Sequence, residues 1–248
     1  MIDASTDIKK LFRHYYENIF PDIGPVLPEL KFRHFRFQLF SKKTSFLRIQ
    51  DIIVNHEHII RKLIYFIPKN AYFTPVKWLN PINVARNKDE LDIMLSFPLY
   101  FDIDMQDLDP PTFSEVKRNT CCLIQFIEDE YSRKPDLIIF SGRQGFHIYY
   151  WKWDKSDIIH LNANERILEF KRRRKAFLKI VQEKKIIVDE RITGDPYRIM
   201  KIPNTLHGTT GFVAKNILDV EKFEVLKEAL VFDTKDYSIF KIDWNNYL

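Results

Sequence analysis

The stretch from Asp136 to Trp153 restricts the fold of this chain more than any other. Two short apolar runs, Asp136–Phe140 and Phe146–Trp153, are separated only by Ser141-Gly-Arg-Gln-Gly145. Runs of this length broken at glycines read as strand, turn and strand. Helical patterns flank them. Residues 113–131 carry Val116, Leu123, Ile124, Ile127 and Tyr131 at helical spacing, and residues 163–183 form a charged amphipathic helix. Ile8, Leu11, Phe12, Tyr15, Tyr16 and Ile19 mark a first helix over 5–20, which Pro21, Gly24, Pro25 and Pro28 end. Strands are expected at 32–39, where Phe32, Phe35, Phe37 and Leu39 alternate with polar residues, at Phe97–Ile103, and at 186–189, 197–202 and 211–215. Further helices are expected at 59–67 and 220–230. Only 6 glycines and 12 prolines occur in 248 residues, which leaves little room for a flexible linker. The pattern predicts an α+β fold, a single compact domain over residues 1–248 with mixed or antiparallel sheets flanked by helices.

A hydrophobic fraction of 45% can build a sizeable core and excludes collagen-like or wholly disordered chains. No run approaches the 18 or so apolar residues of a membrane helix, and MIDASTDIKKLF lacks the apolar segment of a secretory signal. An intracellular protein without a membrane partner is therefore expected. The only cysteines, Cys121 and Cys122, are adjacent on an expected helix, where neighbours point about 100° apart. They cannot build a disulfide framework or a tetrahedral site, so no structural zinc is predicted. The formal charge of +5 is compatible with a polyanionic partner without requiring one.

Three segments could carry chemistry. Asp102 and Asp104, in LYFDIDMQDLD, fall at i and i+2 of an expected strand, so both carboxylates face one side while Phe101 and Ile103 face the core. Carboxylates this close repel unless a cation neutralises them, and hard oxygen donors suit Mg²⁺ or Mn²⁺. A solvated strand end would show the same residues. In Ser141-Gly-Arg-Gln-Gly-Phe-His147 the glycines allow backbone N–H groups to approach an anion, Arg143 offers a fork for phosphate oxygens, and His147 heads the returning strand. An ordinary hairpin with an incidental histidine is the alternative. Asp189 follows the apolar triplet Ile186–Val188 and is expected at a strand end, while Lys201 and His207 flank a loop around Pro203. A further strand with a core histidine would read no differently.

Taken together and in this order, FDIDMQD, SGRQGFH, and VDERIT followed by RIMKIPNTLHG resemble the catalytic small subunit of archaeal and eukaryotic DNA primases, of the archaeo-eukaryotic primase superfamily. RHFRFQLF through FLRIQ adds a weaker similarity, and the resemblance spans roughly residues 30–215. It implies a primase catalytic domain that joins NTPs or dNTPs to a 3′-hydroxyl on a single-stranded DNA template, as a nucleotidyltransferase of DNA replication. Asp102, Asp104 and Asp189 would be catalytic and bind two Mg²⁺ or Mn²⁺ ions, with Asp195 a rival for the third place. Ser141, Arg143, His147, Lys201 and His207 would bind the nucleotide, joined by Arg48. A primer-extending repair or gap-filling polymerase of the same superfamily, or an inactive nucleic-acid-binding relative, would share most of these residues.

The chain also departs from that family. It has no cysteines for the zinc knuckle often found beside the core, and the stretch between His147 and Asp189 is short. Gly208-Thr209 follows His207 where relatives often have lysine, a contact Lys215 could replace. The resemblance implies a large regulatory subunit as partner for initiation, and a cytoplasmic, nucleoid-associated location, or a nuclear one in a eukaryote. The run Lys171-Arg-Arg-Arg-Lys175 is either a solvated helix face or a track for nucleic-acid phosphates. Tyr149, Tyr150, Trp151 and Trp153 could stack bases, although alternation sends about half of them to the core.

Overall fold

The computed structural model describes residues 4–24, 26–40, 46–84, 92–104, 112–154, 158, 160–240 and 242–247. Among them run α1 (Ala4–Asn18), α2 (Phe20–Ile23), β1 (Phe35–Gln38), β2 (Phe46–Arg48), α3 (His56–Phe66), β3 (Asn70–Phe73), β4 (Leu99–Ile103), α4 (Phe113–Tyr131), β5 (Leu137–Phe140), β6 (Phe146–Tyr150), α5 (Ala163–Glu183), α6 (Glu190–Thr193), β7 (Met200–Lys201), β8 (Asn216–Ile217) and α7 (Val225–Glu228). The strands form two antiparallel sheets, ordered β2-β1-β3-β7 and β4-β6-β5-β8. This is the α+β architecture that the alternating patterns predict.

The two long helices have the bounds that their stripes predict. Thr112 and Asn162 cap α4 and α5, and in each the third residue onward, Glu115 or Glu165, returns a hydrogen bond to the cap's backbone N–H. α4 buries Phe113, Val116, Leu123, Phe126 and Ile127, and α5 buries Ile167, Phe170, Phe177 and Val181. β6 lies between β4 and β5, and its five residues are all buried. Tyr149 and Tyr150 are therefore both core residues, with Trp151 and Trp153 packed against the core half-buried.

The basic run of α5 is partly absorbed by the fold, with Lys171, Arg172 and Lys175 exposed. Arg174 sits on the buried stripe, only 1% exposed, and donates to the carbonyls of Phe97 (2.8 Å) and Pro98 (3.0 Å). It also reaches Asp154 at 3.3 Å and lies 4.9 Å from the Phe170 ring centre. Arg173 pairs with Asp154 and Glu169, and Arg172 with Glu169.

Three expected strands differ. Residues 186–189 form no ladder: Lys185 turns the chain at φ 58°, and the Asn119 side chain bonds both the N–H and the C=O of Ile187. One amide thus takes the place of a neighbouring strand. The expected strand at 197–202 contracts to β7, because Asp195 and Arg198 hold a turn before it. Over 211–215 there is only a bridge between Leu206 and Val213, and pairing resumes one residue later as β8. The final helix shortens to α7, within the expected 220–230.

Candidate active site

In the second sheet Asp102 lies directly opposite His147. Phe101 and Ile103 are fully buried on the core face, and the Asp102 side chain, on the other, stays 23% exposed. Burial, then the charges of Asp104 and Asp189, push the Asp102 carboxyl up to about 8. Burial, then Lys201, push the His147 imidazole down to about 3. Both shifts disfavour a charged pair, and the 3.6 Å approach of His147 Nε2 to Asp102 Oδ1 is too long for a hydrogen bond. His147 Nδ1 is buried without a partner among the described residues.

Asp189 does not end a strand as expected. It caps α6, accepting from the Arg191 backbone N–H at 2.9 Å and from the Arg191 guanidinium at 3.1 Å. Burial raises its carboxyl, but these donors outweigh it and hold the group below the ordinary carboxylate range. Its own N–H donates to the Asp102 carbonyl at 2.9 Å, which ties α6 to β4. The rival Asp195 is engaged locally, accepting from the Tyr197 N–H and pairing with Arg198. Among the described residues no group of three His, Cys, Asp or Glu side chains is gathered closely enough to hold a metal ion.

The glycine turn between β5 and β6 closes on itself. The Ser141 N–H donates to the Gly145 carbonyl (2.8 Å), and the Gly145 N–H donates to the Ser141 hydroxyl (3.2 Å). The turn is wedged between two partners. A side chain on Gly142, which has φ +86°, would meet His207 Cβ at 2.7 Å, and the Thr210 hydroxyl donates to the Gly142 carbonyl. A side chain on Gly145 would collide with the Ile103 carbonyl and sit 3.0 Å from Asp104 Cβ. Gly145→Ala should therefore push the turn off β4, cost about 2 kcal/mol of stability, and displace Asp104. Thermal unfolding should show the lower midpoint.

The opposite wall comes from the first sheet. Lys201 of β7 is buried and donates to the Asn70 side-chain oxygen, which also accepts the Gly208 N–H at 3.0 Å. Burial pushes Lys201 well below the ordinary lysine range. Burial, then Lys201, Arg143, Lys69 and His147, do the same to His207. Arg143 itself is exposed at the turn. Tyr72, opposite Lys201 on β3, is pushed up to about 12 by burial and by Asp102, so this wall faces the carboxylates. The three sequence segments thus meet across one cleft. Arg48 shares the first sheet but lies on its far edge strand, about three strand spacings or ~14 Å from Lys201. Sequence reasoning missed Asn70 and Tyr72, and Lys69 just before them, because their four-residue strand has no alternation long enough to see.

Residues 101–218 match the family model described as DNA primase small subunit. The DNA primase small subunit PriS of Pyrobaculum calidifontis is 24% identical over 91% of this chain and 83% of its own length. That of Saccharolobus solfataricus is 23% identical over 88% and 78%, and that of Archaeoglobus fulgidus 24% over 91% and 84%. Among solved structures, the polymerase domain of Mycobacterium tuberculosis ligase D in complex with DNA aligns at a TM-score of 0.45 and 13% identity, covering 86% of this chain and 80% of that one. The primase-polymerase domain of cyanophage S-2L aligns at 0.46 and 13%, covering 82% and 91%. Its three motifs converge on one cleft, and along most of its length the chain is similar in sequence to the archaeal DNA primase small subunits.

Proposed function

We propose that residues 1–248 form one catalytic domain of a DNA primase, a nucleotidyltransferase that extends a 3′-hydroxyl with NTPs or dNTPs on a single-stranded DNA template. The observation that carries this reading is the charge pattern of the cleft. Asp102, Asp104 and Asp189 crowd one wall with His147 beside them, while Lys201 and His207 are desolvated on the other. A divalent cation bound with a nucleoside triphosphate neutralises both.

The donor set fits such a cation: hard carboxylate oxygens, one of them driven toward neutrality by burial and then by its acidic neighbours. Asp102 and Asp104 would hold it, with Asp189 joining once released by Arg191. When bound, Mg²⁺ or Mn²⁺ lowers the pKa of the attacking hydroxyl and stabilises charge at the α-phosphate and leaving pyrophosphate. The chain's own residues bind and orient the triphosphate. The polyanion favours the charged forms of His147, His207 and Lys201, which burial disfavours, and Arg143 reaches it from the turn that Ser141 closes. Asn70 holds Lys201 and the Gly208 backbone in register for that contact. A large regulatory subunit would support initiation.

The test is incorporation of labelled nucleotide on unprimed and primed single-stranded DNA with Mg²⁺ or Mn²⁺, against Asp102→Ala/Asp104→Ala. Products from the unprimed template that vanish in the variant are expected of a self-sufficient primase. Extension from a supplied primer alone would place initiation with the partner, or make the protein a gap-filling polymerase. Equal incorporation by the variant would end the assignment of the two aspartates.

A further inference from the structure

The cleft-facing side of the first sheet carries more positive charge than the nucleotide-binding set uses. Direct cross-strand partners share a face. Arg48 lies opposite Arg36, Arg36 opposite Tyr72, and Tyr72 opposite Lys201, so these four form one row across the sheet. The residues between them, Phe35, Phe37, Ala71, Phe73 and Met200, are buried on the core face. Two arginines directly opposite each other repel, and a sheet normally avoids such a pair. Here Arg36 is half-buried, and burial together with Arg48 lowers its pKa. Among the described residues its side chain contacts His34, to which Nε donates at 3.0 Å, and feels the like charge of Arg48; no carboxylate faces it.

An aromatic completes the row. Phe46, beside Arg48 on the edge strand, is 46% exposed, and its ring lies 5.7 Å from that of Tyr72. Arginines beside an exposed aromatic on one sheet face match what a single nucleic-acid strand needs: cations for its phosphates and a ring on which a base can stack. Arg36 stands two strand spacings from Lys201, about 10 Å. An anion there is a different phosphate from one held between Lys201 and His207.

We infer that Arg36 and Phe46 form a contact for the single-stranded template, Arg36 binding a phosphodiester and Phe46 a base, on the sheet face that leads into the cleft. This rests on the polymerase reading above. His34 orients the guanidinium from behind, and the repulsion between the two arginines is relieved when the phosphate arrives.

The experiment measures binding of a fluorescein-labelled single-stranded oligonucleotide by anisotropy over a range of salt concentrations, for wild type, Arg36→Gln and Phe46→Ala. The KM for nucleoside triphosphate on a primed template is measured alongside. Arg36→Gln should weaken oligonucleotide binding several-fold and reduce the slope of log K against log salt by about 0.7, the value for one single-strand phosphate contact. Phe46→Ala should weaken binding about tenfold with an unchanged slope, since stacking releases no counterion. Arg36→Gln should also unfold at the same temperature as wild type or higher, because it removes a repulsion. An unchanged salt slope in Arg36→Gln, or a rise in nucleotide KM with oligonucleotide binding intact, overturns the inference. If wild-type protein neither binds the oligonucleotide nor incorporates nucleotide, the polymerase reading itself fails.

Discussion

Asp102→Asn should yield a protein that is more stable than wild type in the absence of metal and inactive in its presence. A carboxyl whose folded pKa is about 8 holds a proton in the native state that the unfolded chain gives up near its ordinary value of 3.8. Stability therefore falls as pH rises between those two values, and above them the folded state carries the full cost of a desolvated charge beside Asp104 and Asp189. The side chain keeps some contact with water, so the relief at pH 8 is on the order of 2 kcal/mol rather than the full shift. Wild-type protein in chelator should lose thermal stability from pH 5 to pH 8, while Asp102→Asn should show a flatter profile. Mg²⁺ or Mn²⁺ should raise the wild-type midpoint and leave that of the variant nearly unchanged, since ligand binding to the folded state alone stabilises it. A wild-type midpoint indifferent to both pH and metal would contradict this account of the site.

The second large effect lies away from the cleft. Arg174→Ala removes a buried guanidinium that satisfies two carbonyls before β4 and lies over Phe170. The carbonyls of Phe97 and Pro98 lose that donor, a void opens on the α5 stripe, and among the described residues Asp154 is left with Arg173. Together these should cost about 3 kcal/mol. Urea unfolding should show the loss as a shifted midpoint with an unchanged slope. Arg174→Met fills the space without the hydrogen bonds and should recover part of it. If Arg174→Ala unfolds like wild type and binds single-stranded DNA more weakly, the basic run is a phosphate track after all.

Where the sequence was legible, burial was one-sided or complete along an element. α4 and α5 match their expected bounds because their apolar stripes and capping residues say the same thing. β4, β5 and β6 are visible as dense apolar runs, and FDID and SGRQGFH fall at their ends. Legibility fails where long-range pairing replaces local pattern. β2 and β3 are three or four residues long, and β3 follows α3 with little turn chemistry to mark it. Residues 186–189 have strand composition, yet a single asparagine takes up the hydrogen bonds that a strand would. The capping role of Asp189 is readable in hindsight from Asp-Glu-Arg-Ile-Thr-Gly, an acidic cap with glycine one turn later. The charges of 171–175 read as a surface run, but helical geometry carries one of the five, Arg174, to the buried stripe. The cleft residues Asn70 and Tyr72 have no local signature, since their importance comes from pairing with β7, some 130 residues away.

That pairing also determines how the protein could be divided. The chain completes three strands of the first sheet, builds three of the second, returns to give β7 to the first, and crosses once more to give β8 to the second. A cut between α5 and α6 would separate β7 and β8 from both sheets at once, taking Lys201, His207 and Asp189 with them. Neither fragment would hold a complete wall of the cleft. Reassembly of two such pieces would have to restore both sheets together, so any recovered activity would report on the whole fold rather than on one half of it.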